Sequence, residues 1–268
     1  MLISQPEPSS GGSPYHALAQ KYGYDVEFRQ LIQTVHLEPI EFRAQRLDIR
    51  DYTAIVFTSK TAMECFFALL KELRITLPET TKYFCPSEAI ALYLQKFIVY
   101  RKRKVFFGER GAHDEVIALM QKPSHAKEKY LIPTAEDGLD ALPRMLADTN
   151  LNFTPAVTYR TITRTMAEPL GEKYDIIVFF SPFGIRAMQE LCSSFEQGDT
   201  IIGAFGTLAC QAVKDAGWRL DVEYTGPTEQ YRSMSAALDY FLENKNKQAK
   251  KTAKKSSPST KAAKGQTA

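Results

Sequence analysis

Long apolar runs are missing from this chain. No stretch approaches the ~18–20 consecutive apolar residues that cross a bilayer, so no membrane span is expected. The opening Met1-Leu2-Ile3-Ser4-Gln5-Pro6 carries neither a basic segment nor an extended apolar run, so no secretory signal is expected. Cysteine is scarce. Cys65, Cys85, Cys192 and Cys210 form no C-x-x-C pair, and Cys65 and Cys192 fall in apolar, helix-like stretches. Reduced, buried thiols in a cytoplasmic protein are expected. His16, His36, His113 and His125 are scattered, with no H-E-x-x-H and no zinc-type spacing, so no metal is expected. No G-x-G-x-x-G follows a strand, and G-x-x-x-x-G-K-[ST] and G-x-S-x-G are absent. Dinucleotide, nucleoside-triphosphate and α/β-hydrolase chemistry therefore have no support.

What is present is ordinary globular composition, 44% hydrophobic and 24% charged over 268 residues. At roughly 100–200 residues per domain, the length fits one large or two small domains. The net charge of +3 hides two unlike parts: residues 244–268 hold 8 lysines and no acid, which leaves −5 on residues 1–243. That tail has no Leu, Ile, Val or aromatic residue, so it is expected to be disordered. It reads either as a weak, salt-sensitive tether for nucleic acid or anionic lipid, or as a solubilising segment with no partner of its own. No nucleic-acid partner is expected.

Strand and helix signals alternate along the rest. Leu2-Ile3-Ser4 reads as a strand, Pro14–Tyr22 as a helix and Val26–Ile32 as an alternating strand. Ala54–Phe57 is a strand, and a helix follows with apolar residues at three- and four-residue steps from Ala62 to Leu73. Thr58, Ser59 and Thr61 are all competent caps, and Thr61-x-x-Glu64 fits a capping box. Further strand–helix pairs run through Tyr83–Leu94, Val105–Met120 and Tyr130–Leu146, the last helix marked by Leu139, Leu142, Met145 and Leu146. Ala156–Thr163 alternates. A second series begins at Asp175–Phe180, followed by Ser181-Pro182 as a helix start. Thr200–Phe205 is another strand, and Leu208–Ala216 a helix stopped by Gly217. Val56–Lys60 lines up with Val178–Pro182, a repeat of about 120 residues. The fold class is therefore α/β: two similar lobes with parallel sheets flanked by helices, joined by a two-strand linker. The expected division is 1–33 plus 164–243 for the first lobe, 34–163 for the second, and 244–268 for the tail.

In such folds ligands bind outside the carboxyl ends of the strands. Thr58, Ser59, Ser87, Ser181 and Thr207 all occupy strand-to-helix corners, where free backbone N–H groups and the helix dipole attract anions. Each corner has two readings, a simple helix cap or a carboxylate-sized anion site. The run Arg101-Lys102-Arg103-Lys104 likewise reads as an anion grip or as a solvated strand entrance.

These residues together resemble the uroporphyrinogen-III synthase family. Val56-Phe57-Thr58-Ser59-Lys60-Thr61-Ala62 looks like that family's FTS-x-x-A turn, and Phe180-Ser181-Pro182-Phe183-Gly184 is similar to its FSPSG turn. Thr158-Tyr159-Arg160-Thr161 resembles the VYRT segment, and Gly206-Thr207-Leu208 onward looks like the GPTTA helix start. The chain departs from the pattern at Gln5, at Ser87 with Ile90-Ala91, and at Leu208-Ala209-Cys210. The resemblance implies an enzyme, a cyclising hydro-lyase and a monomer. It would close hydroxymethylbilane, a linear tetrapyrrole with acetate and propionate arms, to uroporphyrinogen III with loss of water and inversion of ring D. No cofactor is implied. It also implies that Thr58, Ser59, Lys60, Ser87, Ser181, Pro182, Phe183, Gly184, Gly206 and Thr207 bind this polycarboxylate. Tyr159 would assist departure of the hydroxyl, unless it is a packed linker residue. The alternative is a non-catalytic two-lobed anion-binding protein of the same fold.

Overall fold

The computed structural model describes residues 1–8, 12–138, 140–166, 168–170 and 173–255. Residues 9–11, the helix marker Leu139 and the last part of the tail lie outside the described residues. In chain order the elements are β1 (Leu2–Ile3), α1 (Pro14–Tyr22), β2 (Glu27–Phe28), β3 (Ile32–His36), α2 (Pro39–Ala44), β4 (Ala54–Val56) and α3 (Lys60–Leu73). Then come β5 (Lys82–Cys85), α4 (Glu88–Tyr93), β6 (Val105–Phe107), α5 (His113–Met120), β7 (Lys129–Ala135), α6 (Ala141–Leu146) and β8 (Asn152–Thr163). The chain ends with β9 (Ile176–Phe179), α7 (Pro182–Leu191), β10 (Ile201–Phe205), α8 (Thr207–Asp215), β11 (Val222–Tyr224) and α9 (Met234–Lys255).

By internal contacts the chain divides into two compact units. One is Met1–Ile32 with Thr163–Ala268, and the other is Gln33–Ile162. The first holds a five-stranded sheet in the order β2-β1-β9-β10-β11, parallel at every pairing. Its central strand β9 is fully buried, and alternate residues serve two cores. Ile177 and Phe179 pack with α7 and α8 residues such as Ile185, Met188 and Val213, while Ile176 and Val178 pack with Tyr15, Leu18 and Leu238 of α1 and α9.

The second unit holds the sheet β3-β8-β7-β4-β5-β6, with β8-β7, β7-β4, β4-β5 and β5-β6 parallel. The same division of labour recurs. Ile55 and Phe57 pack with Met63 and Phe66 of α3, and Ala54 and Val56 pack with Val116, Met120, Leu142 and Leu146 of α5 and α6. Both sheets are thus doubly wound, which agrees with an α/β class of parallel sheets flanked by helices.

Two expectations need correction. The single strand expected over Val26–Ile32 is two. Glu27–Phe28 pairs with β1, whereas Ile32–His36 joins the other sheet beside β8. One extended stretch serves two sheets, and its alternation cannot say where it changes partner. The Lys-rich segment from Asn244, expected to be disordered, continues α9 as far as Lys255. Lys, Gln and Ala have high helix propensity, and here they extend a helix already anchored by the buried Leu238 and Leu242. A Glu243–Lys247 pair one turn apart, 3.7 Å, supports the extension. Among the described residues no helix is long and apolar enough to cross a membrane.

Candidate active site

In an open parallel sheet the natural crevice lies at the carboxyl ends of the two strands where the strand order reverses. In the unit Gln33–Ile162 those strands are β4 and β7. Beyond β4, Phe57 is buried, Thr58 and Ser59 are half-buried, and α3 begins. Ser59 takes the cap: its Oγ accepts from the Ala62 N–H at 3.0 Å. The expected Thr61–Glu64 box does not form, because α3 starts at Lys60 and Glu64 accepts instead from the Tyr93 hydroxyl. Lys60 is exposed, with its ammonium 5.2 Å from the Tyr93 ring. At the neighbouring corner Ser87 precedes α4 without a side-chain cap, so that helix leaves its first N–H groups free of a hydroxyl acceptor.

Tyr159 stands beside this crevice. It is 9% exposed and packs on Ala62 and Cys65 of α3 and on Ala135 at the end of β7. The β7–β8 register slips between Thr134 and Ala135, so Thr134 faces Val157 while Ala135 faces Tyr159. Burial first, then the Asp140 and Asp137 carboxylates, hold the phenol well above its ordinary pKa. It stays protonated at neutral pH, so it can donate a hydrogen bond but is a weak acid and no base. Burial also pushes the adjacent Cys65 thiol up to about 11, so it is no thiolate nucleophile. The next residue, Arg160, is held by Glu41 and lies 3.8 Å from Glu136.

In the other unit the reversal falls between β1 and β9. Ser181 caps α7 by accepting from the Phe183 N–H at 3.2 Å, with Pro182 in the first turn. Gly184 is buried over Ser4 at the end of β1, whose Oγ would lie 3.6 Å from a Cβ built at Gly184. Among the described residues the buried Ser4 Oγ has no hydrogen-bond partner. Sequence reasoning passed over Ser4; an unpartnered serine at the end of a central strand gives no signal in the pattern. Phe183 carries the Arg186 guanidinium 4.8 Å above its ring.

At the β10 corner Gly206 adopts φ 86°, ψ 149°, a backbone region essentially closed to other residues. It leads into α8 with no side-chain cap, so the half-charge of the helix start is unopposed by a serine or aspartate. Thr207 is exposed beside it, and Phe205 just before it is 44% exposed. Phe205 lies 6.0 Å from Phe180 and 5.5 Å from Tyr224, so an aromatic row runs along the carboxyl ends of β9, β10 and β11. Nothing in the spacing singles Phe205 out, because an apolar residue closing a strand is the ordinary pattern.

Thr58, Ser59, Lys60 and Tyr159 therefore gather at the start of α3, with Ser87 one corner away. Ser181, Pro182, Phe183 and Gly184 gather at the start of α7, with Gly206 and Thr207 at the next corner. Two of the hydroxyls, on Ser59 and Ser181, are occupied as caps; the corners at Ser87 and Gly206 are not. Among the described residues no group of three or more His, Cys, Asp or Glu could hold a metal ion.

A family profile described as uroporphyrinogen-III synthase HemD matches residues 13–231. The chain belongs to the uroporphyrinogen-III synthase family. Its function is that family's, a step of tetrapyrrole biosynthesis. Among solved structures, uroporphyrinogen-III synthetase from Helicobacter pylori 26695 shares 17% identity and a TM-score of 0.52 over 91% of this chain and 98% of that one. A mutant uroporphyrinogen III synthase from the extremely thermophilic bacterium Thermus thermophilus shares 14% identity and a TM-score of 0.47 over 92% and 98%. Comparison with curated proteins finds no match.

Proposed function

We propose that this chain cyclises hydroxymethylbilane to uroporphyrinogen III without a cofactor, as a monomer in the cytoplasm. Loss of water from ring A is followed by attack through a spiro intermediate and closure with ring D inverted. The acetate and propionate arms are ionised at neutral pH, since free carboxylates titrate near ~4. The observation that carries the reading is the uncapped start of α8 behind Gly206, at the carboxyl edge of a sheet in a chain of this family. Backbone N–H groups there donate to one arm. Each charge-assisted bond contributes about 1.5–3 kcal/mol.

The neighbourhood of Tyr159 is different. Asp137 and Asp140 make it unfavourable for a carboxylate arm, so the phenol faces the uncharged hydroxymethyl group of ring A, with the arms of that ring turned away. There its hydroxyl donates a hydrogen bond that assists the departure of the substrate hydroxyl, while the fold of the bound chain supplies the reactive geometry. Incubating purified protein with hydroxymethylbilane and separating the products tests this. Uroporphyrinogen III is expected. Formation of the I isomer alone, which arises spontaneously, rejects the enzyme reading and leaves an anion-binding protein of the same fold.

A further inference from the structure

The residues flanking Tyr159 on β8 are tied to the segment from Leu37 to Gln45, which contains α2. The Gln45 side-chain amide, at the end of that helix, donates to the Val157 carbonyl at 2.8 Å and accepts from the Val157 N–H at 3.0 Å. One side chain thus meets both backbone groups of one residue, as an opposing strand residue would. The Leu37 N–H donates to the Thr158 carbonyl at 2.9 Å, and the Arg160 guanidinium donates to Glu41. From the β7 side the Glu136 N–H donates to the carbonyl of Tyr159 itself, at 2.9 Å.

Val157 is the last residue in step before the register slips: Thr134 faces Val157, and Ala135 faces Tyr159. The side chain beyond a bulge points where the residues on either side of the bulge are held. Gln45 holds the near side. It is half-buried and 112 residues away along the chain, so the contact is made by the fold and not by the helix that Gln45 ends.

We propose that Gln45 is a positioning residue for the cyclisation. Its amide fixes the β8 backbone at Val157, and the bulge beyond carries the Tyr159 hydroxyl to the place of the leaving hydroxyl. This rests on the reading that Tyr159 assists that departure. The other unit holds the same pair of bonds at a site remote from its corners: the Gln197 amide donates to the Arg219 carbonyl at 2.8 Å and accepts from the Arg219 N–H at 2.6 Å. Those residues precede β10 and β11, at the amino ends of the strands.

Steady-state kinetics of uroporphyrinogen III formation in a double-mutant cycle test the proposal. Gln45→Met keeps the length of the side chain and removes both bonds. It is expected to lower kcat about tenfold with KM within about twofold, because a displaced phenol weakens only a bond that tightens as the hydroxyl leaves. In a Tyr159→Phe background the same substitution is expected to change kcat by less than about twofold, since the hydroxyl to be positioned is gone. Gln197→Met removes the matching pair and is expected to lower the urea midpoint by a similar amount while kcat stays at the wild-type value. Where Gln45→Met does not fold, Gln45→Glu, which keeps the bond from the Val157 N–H, takes its place in the cycle. Wild-type kcat in the Gln45 variant, an equal fold loss with and without the Tyr159 hydroxyl, or an equal loss in Gln197→Met overturns the proposal and leaves the role of Tyr159 standing. Full turnover by Tyr159→Phe itself overturns that role, and this proposal with it.

Discussion

Ala135 and Tyr159 face each other across the β7–β8 ladder one step past a slip in register. Thr158 is the extra residue. It is fully buried, and its Oγ1 has no hydrogen-bond partner among the described residues. A bulge of this kind re-aims the side chain that follows it. Here it sends Tyr159 onto Ala62 and Cys65 at the start of α3, where the corner residues Thr58 and Ser59 lie.

If the phenol donates a hydrogen bond to the leaving hydroxyl, Tyr159→Phe will lower the rate of uroporphyrinogen III formation by roughly 10²-fold with KM changed little. The phenol pKa is raised, so the wild-type protein keeps this proton as pH rises and should show no loss of rate from it up to pH ~9. Steady-state kinetics of both proteins across pH check this. Full turnover by the Phe variant would make Tyr159 a packing residue.

Gly206→Ala isolates the backbone. Apart from its chain neighbours, no atom of the described residues lies within 4 Å of a Cβ placed there, so the cost is the positive φ alone. A loss of about 1–2 kcal/mol in urea unfolding is expected. Activity should fall as well, because the relaxed corner turns the first N–H groups of α8 away from a carboxylate.

Phe205→Ala should separate substrate packing from stability. A ring 44% exposed contributes little to the core, so stability should change by less than about 1 kcal/mol. Packing of a pyrrole ring on an aromatic face contributes about 0.5–1.5 kcal/mol, so KM should rise roughly 2–10-fold, and Phe205→Tyr should restore it. An unchanged KM removes Phe205 from the site.

His125 makes stability fall in mild acid. Its ring lies 4.3 Å from Phe106, and burial first, then the Lys82 ammonium 3.4 Å from Nδ1, holds its pKa below the ordinary value. The unfolded chain therefore takes up this proton first. Stability should drop as pH falls below ~6.5 and level off once the folded-state pKa is passed. His125→Phe keeps the ring and should show a smaller loss of urea midpoint between about pH 7 and about pH 5.5. An equal loss in both proteins would assign the acid sensitivity to other groups.

Much of the fold was legible because local and tertiary preferences agree. Ser181-Pro182 marks a helix start, and the structure puts Ser181 at the cap and Pro182 in the first turn. The fully apolar run Ile176–Phe179 is a central strand buried on both sides. The rest depended on partners that spacing cannot see. Glu64 looked like a capping-box acid but bonds Tyr93 from another helix. The bulge at Thr158 is a property of two strands together. Hydroxyl residues at corners are visible in sequence, yet whether each caps its helix, as Ser59 does, or leaves it open, as Ser87 does, is decided by side-chain geometry.

The first unit is made of the two ends of the chain, with β1 between β2 and β9. During synthesis Leu2 and Ile3 leave the ribosome long before Ile177 and Val178, their partners on one side. At about 5–20 residues per second, the whole intervening unit is translated in on the order of ten seconds. Throughout that interval the amino-terminal strand has an open edge and apolar side chains exposed to water. The continuous unit, which needs no later segment, is free to fold first, and slow translation or heat stress would therefore strand the nascent chain with its first strand unprotected.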